Sequence, residues 1–391
     1  MKFLSKNTDL INNRLIYNIF GIRIKRKINK ENVKNKIKEI EILIKNNKEK
    51  NIFLLQDYLG ADCVECIDAY SLFLYLKSIN EEAYYVCLKS SNLYKKLSLE
   101  NKLDGIIGLE KYTKESTVEY LDTIKEILAK TKFFIVSFDN KSNEFSKFCK
   151  NNKYFTYIFL QHGVCFFKES VFQKKFLSKK KFNKYLISNE KEKELFITHG
   201  FKENSFIKAG LPRWDLLKIA DNEAQKEILI MFTFRNFKNK EIIENSIYKQ
   251  NIEHLINNAD LIELLKEKNI KLNLSLHHMI TENKQFEIVN DNINLISPLE
   301  VSQYIKNSSL LITDFSSVAF DFMFLNKPII FYLLDYKDKN LHKFDREDME
   351  KMLKKSKEIP NIYLNETDVI TKIQYYMKII YFAILIEYEN E

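Results

Sequence analysis

LITDFSSVAFDFMFLNKPIIFYLLD, residues 311–335, sets a polar turn between two oily runs and breaks the second with Asn-Lys-Pro. Ser309 to Thr313 is short, apolar and β-prone, so it reads as a buried strand. Ser317 to Leu325 suits a helix buried nearly all round, and Asn326 and Pro328 are stop signals for it. Ile329 to Leu333 reads as a second buried strand. Strand, polar turn, helix and strand make a βαβ crossover. The turn Asp314 to Ser317 then lies at the carboxyl end of a strand and the amino end of a helix, where free N–H groups and the helix dipole suit an anion. Ser316 or Ser317 can cap the helix while the N–H groups of Ser317 and Val318 face a phosphate. The plain alternative is an ordinary N-cap with Asp314 folding the turn.

The same alternation continues in both directions along the chain. Buried strands are predicted at 51–56, 83–88, 132–137, 154–160 and 184–188, with helices at 31–50, 69–79, 118–130 and 190–199. A short strand is read at 105–109, and 207–209 is extended. A second series of strands follows at 227–232, 272–276 and 293–296, and residues 367–386 read as helix. Strands alternating with helices imply parallel sheets covered on both faces. The expected division is a basic segment at 1–50, one α/β domain at 51–205, a second at 206–366, and a C-terminal helix at 367–391 packing back on the first.

The chain has 391 residues, 45% hydrophobic and 29% charged, enough for two domains with sizeable cores. It has no apolar run long enough for a membrane span, and no secretory signal is expected from residues 1–9. Five scattered cysteines suit a reducing cytoplasm, and Cys63 and Cys66 read as ordinary thiols because no second pair follows. The net charge of +9 lies wholly in residues 1–50, with fourteen Lys/Arg against five Asp/Glu. There the apolar run 15–22 adjoins the basic cluster 23–27, a pairing that can rest on an anionic leaflet. A solvated arm is the alternative, and nucleic acid is disfavoured because no binding motif accompanies the charge.

Only seven glycines occur, and neither a dinucleotide fingerprint nor a P-loop is present. His162, in Gln-His-Gly after a strong strand, stands where catalytic groups of α/β folds stand, and its neutral imidazole can accept a proton. His277, followed by His278, has the same relation to the strand before it. No third ligand has metal-like spacing nearby, so no metal is expected. Arginine is scarce, six against fifty-six lysines, so Arg213 and Arg235 are candidates for a planar fork on phosphate. Structural salt bridges are the equal alternative.

Together these segments resemble the CDP-glycerol glycerophosphotransferase family, which primes and polymerises teichoic acids and related capsules. Residues 310–318 with 326–332 look like its C-terminal signature, and 159–164 (FLQHGV) like its histidine–glycine motif. Gly210 to Arg213 with Asp215 matches its Gly-x-Pro-Arg-x-Asp segment. Residues 228–235 and Leu276-His277 align with two further motifs, with Phe232, Phe234, Ser275 and His278 as departures. The resemblance covers roughly residues 50–345. It implies a GT-B-like fold: two Rossmann-like domains whose parallel sheets face across a cleft. It also implies a CDP-glycerol or related CDP-polyol donor, a lipid-linked polyol-phosphate or glycan acceptor, and no cofactor. By resemblance, His162 is the base and His277 a second acid–base group or phosphate contact. Thr233, Arg235, Ser316 and Ser317 hold the diphosphate, with Arg213 and Asp314 from the same motifs. The expected location is cytoplasmic, at the inner face of the membrane. The rivals are transfer from another CDP-polyol such as ribitol, a sugar transferase on the same fold, and a non-catalytic nucleotide-binding protein at the membrane surface.

Overall fold

The computed structural model describes residues 4–9, 14–19, 22–27, 30–59, 68–110, 116–138, 143–161, 163–173, 182–218, 227–233, 235, 246–276, 286, 288, 290–297 and 300–389. His162, His277, His278, Cys63 and Cys66 lie outside them. The chain forms two compact units: 1–61, 73–159 and 180–184 in one, and 62–72, 160–179 and 185–391 in the other.

The first unit begins with an antiparallel meander, β1 (Leu4–Asp9), β2 (Arg14–Ile19) and β3 (Ile22–Lys27). Residues 4–9, 14–19 and 22–27 of the basic segment are strands, in keeping with the β-branched isoleucines of β2 and β3. The helix Lys30–Asn46 follows. Five parallel strands come next: β4 (Ile52–Gln56), β5 (Ala83–Leu88), β6 (Ile106–Leu109), β7 (Thr131–Val136) and β8 (Thr156–Phe159). Their order is β8-β7-β4-β5-β6. Leu54, Val86, Phe134 and Tyr157 are buried, as expected of strands covered on both faces.

β9 (Lys184–Ile187), all but its first residue in the second unit, pairs in parallel with β10 (Phe206–Lys208). Six further parallel strands form a sheet: β11 (Glu227–Met231), β12 (Lys271–Ser275), β13 (Ile293–Ile296), β14 (Leu310–Thr313), β15 (Ile329–Tyr332) and β16 (Ile362–Tyr363). Their order is β13-β12-β11-β14-β15-β16. Alternate residues enter two cores. Ile228, Ile230, Leu310, Ile312 and Ile330 join the helices Ile247–Ile256 and Ala259–Glu267 in one, while Leu229, Leu311 and Phe331 meet Phe322 of helix Val318–Phe324 in the other. Asn326, at φ 55°, ends that helix in the left-handed region, with its N–H bonded to Met323 O at 3.1 Å and that of Lys327 to Phe322 O at 3.0 Å.

The terminal helix Glu366–Glu389 covers this second sheet: Val369, Ile370, Ile373 and Met377 lie in its core, at a spacing that puts them on one helix face. Among the described residues no helix is long and apolar enough to cross a membrane.

Candidate active site

The order of the second sheet reverses between β11 and β14. From β11 the chain moves outward to β12 and β13, then returns to the other side of β11 with β14. In open α/β sheets, ligands bind outside the carboxyl ends of the strands at such a reversal. Both strand ends here are the motif segments, Phe232 to Arg235 and Asp314 to Ser317.

Buried Asp314 laces the two ends together. Thr233 donates to it from its N–H at 3.0 Å and from Oγ1 at 2.8 Å, and Arg235 Nη1 lies 2.8 Å from its Oδ2. Thr313 Oγ1 adds a bond to Met231 O at 2.5 Å. Arg235 is also buried. Its Nε and Nη2 grip the Asp335 carboxylate at 2.7 Å each, and Nη1 donates to Thr233 O at 2.7 Å. The rings of Tyr248 and Phe315 flank the guanidinium with centroids at 5.0 and 4.8 Å. Burial alone would lower the Arg235 pKa, but the Asp335 and Asp314 carboxylates override it and raise it. The fork that scarcity singled out therefore braces the protein's own carboxylates, and it orients Thr233 through them.

Arg213, the first residue of helix Arg213–Lys218, is likewise a brace. Its Nη1 lies 2.5 Å from Asp68 Oδ2, and Nε and Nη2 reach Asp321 at 3.1 and 3.2 Å. Trp214 Nε1 donates to the same Asp321 at 2.7 Å. Burial raises the Asp321 pKa against the lowering effect of Arg213. Of the two open readings of these arginines, the salt bridge describes Arg213.

Ser316 is buried and Ser317 half-buried. Ser317 precedes the first helical residue with φ −67° and ψ −14°, and its side chain makes no capping bond. The expected serine cap is thus not formed there, because a helical ψ at the cap position turns the hydroxyl away from the N2 and N3 amides.

The segment after β8 lies against this turn. A Cβ at Gly163 would collide with Ser317 Oγ and meet Ser317 Cβ at 2.7 Å, so only glycine fits. Phe167 packs on Phe320 at 4.8 Å, and the Lys168 ammonium lies 5.8 Å from the Phe315 ring centroid. Burial lowers the Lys168 pKa, opposed by Asp314 and Asp348. Among fifty-six lysines nothing in the sequence marks this one.

Two parallel α/β sheets of this kind define a GT-B-like architecture, and the solved structures most useful for comparison share it. The structure of the wall teichoic acid polymerase TagF superposes with a TM-score of 0.53 at 17% identity, covering 91% of this chain and 97% of that one. UDP-GlcNAc 2-epimerase from Methanocaldococcus jannaschii superposes with a TM-score of 0.50 at 17% identity, covering 83% and 91%. These likenesses are of fold. In sequence, the profile described as CDP-Glycerol:Poly(glycerophosphate) glycerophosphotransferase matches residues 78–380, and the chain belongs to that family. It is 31% identical over 244 residues to the minor teichoic acid biosynthesis protein GgaB of Bacillus subtilis (strain 168), covering 57% of this chain and 25% of that protein. It is 33% identical over 147 residues to the teichoic acid glycerol-phosphate primase of the same strain, covering 35% and 36%. The chain thus aligns with only a quarter to about a third of the length of these two relatives.

Proposed function

We propose that the protein transfers glycerol phosphate from CDP-glycerol to a hydroxyl of a membrane-linked, teichoic-acid-like or capsular acceptor and releases CMP. The observation that carries this reading is the approach of Gly163 to Ser317, which brings the residue beside His162 against the turn at the strand-order reversal. Family membership supports the chemistry, as does a TagF variant, of TM-score 0.50 to this chain, whose structure follows a soak with CDPG.

In this reaction the acceptor oxygen attacks the β-phosphorus. A new P–O bond forms as the bond to the bridging oxygen breaks, and CMP leaves with that electron pair. His162 takes the acceptor's proton, and His277 contacts the phosphate or serves as a second acid–base group. The Thr233, Ser316 and Ser317 hydroxyls and nearby N–H groups stabilise charge on the phosphoryl oxygens. Arg235 and Asp314 keep Thr233 and the turn in place, and Arg213 braces helix Val318–Phe324 through Asp321. Residues 206–366 serve as the donor domain and 51–205 as the acceptor domain. The basic segment 1–50 rests on the cytoplasmic face of the membrane, where the acceptor is held.

The test is product analysis by mass spectrometry with purified protein, a lipid-linked acceptor and CDP-glycerol, CDP-ribitol or UDP-sugars. CMP release with CDP-glycerol alone is the expected result, and turnover only of UDP-sugars would overturn the reading. A Gly163→Ala protein should lose about tenfold or more in kcat, because Ser317 Cβ is fixed to the backbone and cannot swing clear of the methyl. Single-turnover CMP release checks this, and a wild-type rate would show the close approach to be dispensable.

A further inference from the structure

Gln161 sits at φ 68°, in the left-handed region that side chains other than glycine and asparagine rarely adopt. It is also buried. Such conformations persist where the surroundings over-determine them, and they cluster at functional sites.

The surroundings here are specific. Gln161 Nε2 donates to Leu186 O at 2.6 Å and to Glu192 Oε1 at 3.2 Å, while its Oε1 accepts from the Cys165 thiol at 3.1 Å. Glu192 Oε1 also accepts from the Cys165 N–H at 3.1 Å. Its other oxygen takes the Ser188 N–H at 2.7 Å and the Ser188 hydroxyl at 2.8 Å. The residues on both sides of position 162 are therefore tied to one carboxylate.

That carboxylate is unusual in its own right. Glu192 is fully buried, and among the described residues it forms no ion pair; all its partners are neutral donors. Buried charges are ordinarily paired. Its place in the first turn of helix Glu190–Thr198, capped by Asn189, supplies a favourable dipole instead. A carboxylate can receive four donors at once, whereas a glutamine there would present an N–H₂ group to some of them.

We propose that Gln161 and Glu192 form a clamp that fixes the backbone on both sides of position 162, and that phosphoryl transfer depends on it. The inference rests on His162 being the base of the reaction proposed above. Both are positioning residues: they act through the backbone of 161–165 and touch neither donor nor acceptor. A base displaced by about an ångström can lose about a hundredfold in rate without a change in substrate binding.

Two variants test the clamp. Gln161→Asn keeps a residue that tolerates the left-handed backbone but is one methylene too short to reach Leu186 and Glu192. Glu192→Gln keeps the shape and turns one acceptor oxygen into a donor. Both should fold and bind CDP-glycerol within about twofold of the wild-type Kd, yet lose about ten- to a hundredfold in kcat. Amide hydrogen exchange, followed by mass spectrometry across 161–165, should speed up in both. Folded variants with wild-type kcat, or with unchanged exchange, would overturn the clamp. A wild-type protein inert towards every donor would instead remove the reaction assigned above, and the exchange comparison would still decide the clamp by itself.

Discussion

A His162→Ala protein should fold and bind CDP-glycerol as the wild type does, yet turn over roughly a hundred to ten thousand times more slowly. That range is what a positioned general base contributes. The hydroxyl of a polyol is a poor nucleophile until its proton has somewhere to go. A neutral imidazole can take it. Removal of the ring leaves the donors of the Ser316–Ser317 turn and Thr233 untouched, so donor affinity should hold while kcat falls. The pH profile gives the sign independently. Wild-type kcat/KM should decline on acidification, because a protonated imidazole is no longer a base, and the variant should lose that limb. CMP release under saturating donor, with isothermal titration of CDP-glycerol binding, checks both statements. Normal turnover in the variant would remove His162 from the mechanism.

Arg235→Met should cost about 3–5 kcal/mol of stability, the range found when one partner of a buried ion pair is deleted. The loss comes from what remains. Asp314 and Asp335 are both buried, and the guanidinium lies within 2.8 Å of each. Without it two carboxylates are left buried, and Asp335 loses both bonds of its bidentate grip. Thr233 keeps its bonds to Asp314, but its carbonyl loses the Nη1 donor. Arg235→Lys retains the charge without the fork and should fall between the two. Urea unfolding measures the series, and a methionine variant within 1 kcal/mol of wild type would refute the assignment of Arg235 as a buried brace.

Much of the architecture was legible because hydrophobic periodicity is a local property. Leu310 to Ile312 and Ile329 to Phe331 are apolar throughout, and both lie in strands of a sheet covered on two faces. The helices Ile247–Ile256 and Ala259–Glu267 carry capping signals in Ser246 and Asn258, which accept bonds from Lys249 and Leu261. The N-terminal meander gave a weaker signal. Its strands pair with one another, which charge does not report.

The site divides in the same way. Motif order along the chain put Thr233, Arg235, Asp314, Ser316 and Ser317 on strand ends, and the sheet order then placed those ends side by side. The α/β class, the βαβ unit at 311–335 and the segments with polar groups at strand ends are thus readable along the chain, since each depends on residues within a few positions of one another. What those groups meet depends on packing between distant segments. Thr233 finds Asp314 across 81 residues, Arg235 finds Asp335 across 100, and Arg213 finds Asp321 across 108. A scarce arginine reads the same on paper whatever anion it faces, because a cation taken out of water must be matched by whatever anions the packed strands bring to it.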